Sequence, residues 1–378
     1  MGMFSSFLMN GFRRNEEKFY SPGQMFEVMS RLGEQLRGDE MRAKVKTLLS
    51  GWFVPADTFR EQGQKVPAYA LEMHAVMDKS YTYNGYGTYI FVPDERRRMV
   101  TVPLASIFSR PMELEDDEDP VKILSSLYSD ENGYSTNSSM TIYELSCKQD
   151  EFYPLNLWSK ELANDPLEEI FGIFDAMKPG QYAGISIIVI PPEEGWEQRA
   201  KMRIRNIEDP EYQEEIGFVE TMRRMWHGED MPDEEVERLA GYKKQQLDPR
   251  EKAEIDAISS KIGTDCFRCT IRVYAYDDQT AQDLAGVMIQ KSGGKWNTLE
   301  IVDRNCRLLD LAMRREGSKP FLMSSDEIAS LWHVPAENTM GEKLHKPLPA
   351  ALIPPDELLT INVGEPGDIQ KLIYSIGS

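Results

Sequence analysis

The sequence predicts an α+β fold: two helix-on-sheet sandwich units joined by a charged helical insertion. Two observations carry that expectation. A strand, a helix and a second strand follow one another twice, around residues 140–190 and 267–302, and a charge-dense stretch with scattered apolar anchors, 193–263, separates the two runs. The chain has 378 residues, of which 41% are hydrophobic and 10% aromatic, enough to fill the cores of two or three such units.

Residues 1–62 read as a helical lead-in segment. Met25, Val28, Met29 and Leu32 make one stripe at helical spacing, and Val45, Leu48 and Leu49 make another. The first α+β unit, 63–192, opens with Tyr69, Leu71, Met73, Ala75 and Met77 alternating against Glu72 and His74, which is the period of a strand. A second strand, Tyr89 to Val92, follows the turn-rich Asn84-Gly85-Tyr86-Gly87, so a hairpin with a long or irregular tip is expected. The acidic run Glu113 to Asp119 reads as a solvated loop, and residues 130–133 as a turn. Met140 to Cys147 alternates again. Asp165-Pro166-Leu167-Glu168 then supplies an N-cap acid, a proline at the first helical position and a glutamate able to close a capping box. Leu167, Ile170, Phe171 and Phe174 recur at helical spacing until Pro179-Gly180 stops the helix, and the almost wholly apolar Ile185 to Ile190 reads as a central strand.

In the insertion, 193–263, Met222, Met225, Trp226, Leu239 and Tyr242 are the apolar anchors, and Pro232 and Pro249 mark helix starts. The second unit, 264–335, begins with Phe267, Cys269, Ile271, Val273 and Ala275 facing one way and Arg268, Thr270, Arg272 and Tyr274 the other. A helix from Asp278 to Lys291 carries Ala281, Leu284, Ala285 and Met288 on one face, Gly293-Gly294 ends it, and Leu299 with Ile301 offers a further strand. The repeated order is ferredoxin-like in outline. Residues 336–378 read as a proline-rich connector and a terminal strand.

Composition excludes some functions. The formal net charge of -20 and the pI near 4.8 argue against a protein whose main task is to grip phosphate backbones, so no strong nucleic-acid binding is expected, with Arg96-Arg97-Arg98 a local exception. The acid excess suits solubility or a basic partner. Four cysteines without a secretory leader point to a reducing, cytoplasmic location and no disulfide framework. No run approaches the length of a transmembrane segment; Met3 to Phe12 is too short and is broken by Ser, Asn and Gly.

Candidate chemistry is sparse. Cys266 and Cys269 have C-x-x-C spacing, but no second ligand pair accompanies them, and in a strand the two face opposite sides, so Cys269 is expected in the core and Cys266 outside it. His74, His227, His333 and His345 form no close ligand pair, and Glu193-Glu194 and Asp233-Glu234-Glu235 read as solvated charge. No nucleophile elbow and no G-x-x-x-x-G-K-[ST] loop occurs; Ser292-Gly293-Gly294-Lys295-Trp296 is a helix-ending turn. No catalytic, cofactor or metal site is therefore assigned.

The tail carries the most specific pattern. Phe321 to Pro335 spells a strand-like start, a Ser324 to Glu327 capping box and a short helix ended by proline, and a proline-rich connector follows from Lys346 to Pro355. Together with Met140 to Pro192 and the strand and helix of 267–291, this order resembles the accessory region upstream of the motor in conjugative-transfer-type, HerA/FtsK-like DNA-translocating ATPases. The likeness spans about residues 140–355 and rests on order and diffuse pattern. Members of that family often carry membrane helices before this region and a P-loop motor after it, and this sequence shows neither. Leu372 to Ser378, an apolar strand running into Gly-Ser, is similar to the start of a P-loop strand.

The resemblance implies a non-catalytic scaffold or partner-binding protein of a conjugation or type IV secretion-type ATPase assembly, with a P-loop motor ATPase or secretion-type assembly proteins as partners and homo-oligomerisation compatible. The alternative is a structural subunit of a virion or other large assembly. Ile328, Leu331 and Trp332 share one face of the tail helix and are the candidate docking residues, either on this chain's own second unit or on a partner.

Overall fold

Both strand-bearing halves of the chain share one antiparallel sheet. The computed structural model describes residues 22–28, 38–77, 85–108, 111–114, 119–121, 140–157, 167–193, 195–208, 247–304, 315–316 and 319–334. Its strands are β1 (Gly23–Val28), β2 (Tyr69–Val76), β3 (Gly85–Pro93), β4 (Met112–Glu113), β5 (Thr141–Cys147), β6 (Tyr182–Ile190), β7 (Cys266–Ala275), β8 (Leu299–Asp303) and β9 (Phe321–Ser324). They run in the order β4-β1-β3-β2-β6-β7-β5-β8, with β9 also on β7. The α+β class is as expected, but the two sandwich units are not separate sheets: β6 and β7 pair from Ala183↔Ala275 to Ile190↔Arg268. The physical reason lies in the sequences of the two strands. Both bury residues on both faces, so neither can serve as a solvated edge, and pairing them satisfies two rows of backbone donors and acceptors at once.

The predicted hairpin is present, with β2 paired to β3 from Ala70↔Phe91 to Val76↔Gly85. The lead-in segment is a correction: the stripe begun by Met25 and Val28 belongs to β1, which pairs with β3 from Gly23↔Pro93 to Val28↔Thr88. A spacing of three fits a helix, but it also fits a strand buried on both faces, and Met25 and Val28 are buried on opposite sides. Met29 and Leu32 lie outside the described residues. The second stripe does form a helix, α1 (Gly38–Trp52), which buries Met41, Val45, Leu48, Leu49 and Trp52. Trp52 stacks on Tyr69 of β2 with ring centroids 4.2 Å apart. A short helix, α2 (Ala56–Glu61), buries Phe59 before β2 begins.

The sheet's first face carries the main core. Against it lie α1, α3 (Arg97–Ile107), α4 (Glu168–Ala176), α7 (Asp278–Ser292) and α8 (Ser325–Leu331), contributing among others Leu104, Phe171, Phe174, Leu284 and Ile328. Ile170, Phe171 and Phe174 of α4 are buried as their spacing predicts, whereas its expected cap, Asp165-Pro166, lies outside the described residues. Burying each such large apolar side chain contributes roughly 1.5–3 kcal/mol.

The insertion is represented by α5 (Trp196–Glu208) and α6 (Pro249–Lys261), which close a satellite core of Ala200, Ile207 and Ile258 with Tyr153 and Trp196. Asp248 caps α6 by accepting from the backbone of Arg250 at 2.7 Å and Glu251 at 2.8 Å, with Pro249 at the first helical position as expected. Pro232 and the anchors between Met222 and Tyr242 lie outside the described residues.

One edge of β7 is shared by two strands placed end to end. β5 takes Ile271 to Ala275 and β9 takes Cys266 to Cys269. The register of β5 then shifts between Glu144 and Leu145, where it pairs with β8. The tail segment is thus a sheet strand that runs directly into α8.

Candidate functional site

The second face of the sheet is buried and carries a polar row beside an apolar patch of Met25, Ala70, Phe91 and Ile188. Alternation along six neighbouring strands brings Glu27 (β1), Tyr89 (β3), Glu72 (β2), Ser186 (β6), Arg272 (β7) and Glu144 (β5) into one register row across the sheet. All six are buried, with Glu27, Glu72, Glu144 and Arg272 wholly inaccessible. The next row brings His74 opposite Gly87 and Gly184, and Gly184 opposite Tyr274. Gly184 is required by close approach, since a Cβ there would lie 2.5 Å from the Tyr274 ring; a Cβ on Gly87 would lie 2.6 Å from the Glu27 carboxylate, which would have to shift.

Glu72 is the hub. Its Oε1 accepts from Ser186 Oγ at 2.9 Å and from Arg315 Nε at 3.1 Å, and its Oε2 bonds to His74 Nε2 at 2.8 Å. Burial alone would raise the Glu72 pKa, but the charge of Arg315, with the bonds from His74 and Arg315, outweighs it and holds the carboxyl at about 2. Tyr274 Oη lies 2.6 Å from His74 Nδ1, and burial lifts the phenol far above its ordinary range, so it keeps its proton. In the neutral ring, this fixes Nε2–H as donor to Glu72 and Nδ1 as acceptor from Tyr274.

Two connecting segments roof the row. Arg315, between β8 and β9, places its guanidinium 4.1 Å above the Phe91 ring and donates to both oxygens of Asp119 at 3.1 Å. Its φ of +48° is the sole left-handed backbone among the described non-glycine residues, a conformation held by the ion pairs around it. Burial would lower the Arg315 pKa, but Asp119 and Glu72 raise it well past its usual value. Beside it, Arg272 donates through Nε to Glu144 at 3.1 Å and through Nη2 to the Glu316 carbonyl. Burial lowers the Arg272 pKa, with Glu144 opposing.

Asp119 and Leu114 correct the solvated-loop reading of 113–119, because both are buried, Asp119 as a partner of Arg315. Residues 115–118 lie outside the described residues.

A second buried charge pair fastens the tail. Lys261 Nζ donates to the carbonyls of Glu151 at 2.8 Å and Leu322 at 2.9 Å and lies 3.0 Å from Glu327 Oε2. Glu327 also closes the predicted capping box, accepting from Ser324 N at 2.6 Å while its own N–H donates to Ser324 Oγ at 3.3 Å. Burial opposes charge on Lys261, but Glu327 outweighs it and raises the pKa.

The structure seats all three candidate docking residues, Ile328, Leu331 and Trp332, in this chain's own core. Trp332 Nε1 donates to the Glu72 backbone carbonyl at 2.9 Å. Cys269 lies in the main core as expected; Cys266 lies outside that cluster but is also buried, its thiol near Thr264 and the Lys261 carbonyl, and burial pushes that thiol up to about 12. His333 Nδ1 contacts the Ala329 carbonyl, and His227 and His345 lie outside the described residues.

The cluster holds charge in place. Ser186 bonds to the carboxylate and not to the imidazole, so the hydroxyl–base contact of a nucleophilic triad is not made. Among the described residues, no three His, Cys, Asp or Glu side chains gather as a metal site. Sequence reasoning placed Glu72 and His74 on the face of a strand opposite its apolar residues and did not single out Asp119 or Arg315. The available signal was a mid-strand charge repeated in four apolar strands: Glu27, Glu72, Glu144 and Arg272. Comparison with protein-family models and with curated proteins returns no match for this chain.

Proposed function

We propose that this chain is a non-catalytic scaffold or partner-binding protein of a DNA-transfer or secretion-type ATPase assembly, working in the cytoplasm beside a P-loop motor. The observation that carries this reading is the tail. The Phe321 to Val334 segment, one of the three blocks on which the resemblance rests, is built into the sheet by β9 and anchored through Trp332 and Glu327. A partner engaging the connector beyond it would therefore bear on a stiff nine-stranded platform. The charge of -20 supports a protein partner over a nucleic acid.

Sedimentation of the purified chain with a conjugative-transfer-type P-loop motor ATPase from the same genome tests the reading. A stoichiometric complex at micromolar concentration, with no nucleotide turnover by the chain alone, is expected. Failure to associate, ATP turnover that survives further purification, or self-assembly into closed shells would overturn it; the last result would favour the structural-subunit alternative.

A further inference from the structure

Where α7 gives way to β8, the chain builds an aromatic shelf rimmed by cations. Buried Asn297 joins the turn 293–298 to the loop after β5. Its carboxamide nitrogen donates to the carbonyls of Asp150 and Tyr153, each at 3.2 Å, and its oxygen accepts from Gln149 N at 3.0 Å. Asn156 N donates to the Ser292 carbonyl at 2.9 Å. The two loops are thereby fixed side by side, and their aromatic residues meet. The Tyr153 and Trp296 rings lie 8° from parallel with centroids 6.2 Å apart, and the Phe152 ring lies 4.9 Å from that of Tyr153. All three are half-buried, and Leu157, which follows Asn156, is 42% exposed.

Lys295 Nζ lies 4.5 Å from the Trp296 ring centroid, and Arg203 of α5 donates to Tyr153 Oη at 3.2 Å and to Glu254 at 2.6 Å. Arg199 and the exposed Met202, on the same face of α5 as Arg203, extend the surface. Arg199 shares the Glu151 carboxylate with Arg268. In these contacts the four cations Lys295, Arg203, Arg199 and Arg268 face two carboxylates, and the carboxylates lie underneath. The side chains of Arg199 and Arg203 are 63% and 44% exposed, against 18% and 16% for Glu151 and Glu254. Lys201 with Glu197 on α5, and Lys148 with Asp150 on the loop, add charges of both signs equally. Solvent thus meets a positive, aromatic surface on a chain of net charge -20.

We propose that this surface binds a short acidic segment of another protein, which seats one apolar side chain on Leu157, Tyr153 and Trp296 and lays carboxylates against Lys295, Arg203 and Arg199. Trp, Tyr and Arg are the residue types that carry most of the energy in protein interfaces, and a shelf fixed before binding spares the cost of ordering it. A long polyanion would run past this one patch onto the acidic remainder of the chain, whereas a short acidic segment stays within it. The binding does not depend on the motor assembly proposed above.

Fluorescence anisotropy at physiological salt tests the proposal with a short fluorescein-labelled peptide of aspartate and glutamate around one central phenylalanine. Saturable binding with a Kd below about 100 μM is expected. Lys295→Glu and Leu157→Ser, both at exposed positions, should each weaken it about fivefold or more with melting temperatures unchanged. A peptide with alanine in place of the phenylalanine should bind as weakly. Absence of saturable binding, or equal affinity of the native chain and both variants, would overturn the proposal. So would tighter binding of oligothymidylate than of the peptide, which would assign the shelf to single-stranded nucleic acid.

Discussion

Trp332 and Glu72 tie the two faces of the sheet together at one residue. The indole Nε1–H of Trp332 bonds to the backbone carbonyl of Glu72 from the helical side, while the Glu72 carboxylate collects Ser186, His74 and Arg315 on the polar side. The tail helix and the loop-roofed charge cluster thus meet through a single strand residue.

Trp332→Ala is expected to remove about 3 to 5 kcal/mol of stability, because a wholly buried aromatic leaves a large cavity. Trp332→Phe keeps most of the bulk and loses the bond to Glu72, so it should cost less, about 1 to 3 kcal/mol. Urea denaturation followed by circular dichroism separates the two. Near-equal, near-zero losses would mean that the helix does not contribute to the core.

Arg315→Ala should be costlier than an exposed charge change. It strands Glu72 and Asp119 in a buried site and is expected to destabilise by about 3 to 5 kcal/mol. Adding Glu72→Gln and Asp119→Asn to Arg315→Met should recover part of that loss, since the charges are removed together. A thermal-melt series in which the triple variant melts below Arg315→Ala would refute the coupling.

Acid stability should carry the mark of Glu72. Its folded pKa, about 2, lies below the ordinary value of 4.5, so its contribution is fully present above pH 4.5 and is lost as pH falls through 2. The separation of the two values corresponds to a contribution on the order of 3 kcal/mol. Glu72→Gln should flatten the fall of stability between pH 4.5 and 2 in equilibrium denaturation, and an unchanged slope in that window would contradict the assignment.

Gly184→Ala places a methyl group where the Tyr274 ring lies, at 2.5 Å from it, and should destabilise by about 1 to 3 kcal/mol. The same change made with Tyr274→Leu should be milder than Gly184→Ala alone. Melting temperatures of the single and double variants give the comparison.

What could be read from the sequence was local, and what escaped it was set by distant pairing. The capping box of Ser324 and Glu327, the helix start at Pro249 and the alternation of Phe267 to Ala275 are written within a few residues, and each forms as read. The Glu27, Glu72, Arg272 and Glu144 row depends on register between strands far apart in the chain, and Arg315 meets Asp119 across an even longer separation. Without the register, a charged residue alternating with apolar ones looks like the solvated side of a strand. β1 failed for a related reason: burial on both faces erases the period that distinguishes a strand from a helix.

Amide hydrogen exchange in the native state tests most directly the claim that one sheet unites both halves and the tail. Amides of β6, β7, β9 and α8 should exchange through the same large opening, with a common free energy and a common dependence on low urea. Exchange of Phe321 to Leu331 through a separate, low-energy opening, while Ile185 to Val189 and Phe267 to Val273 stay protected, would contradict the account.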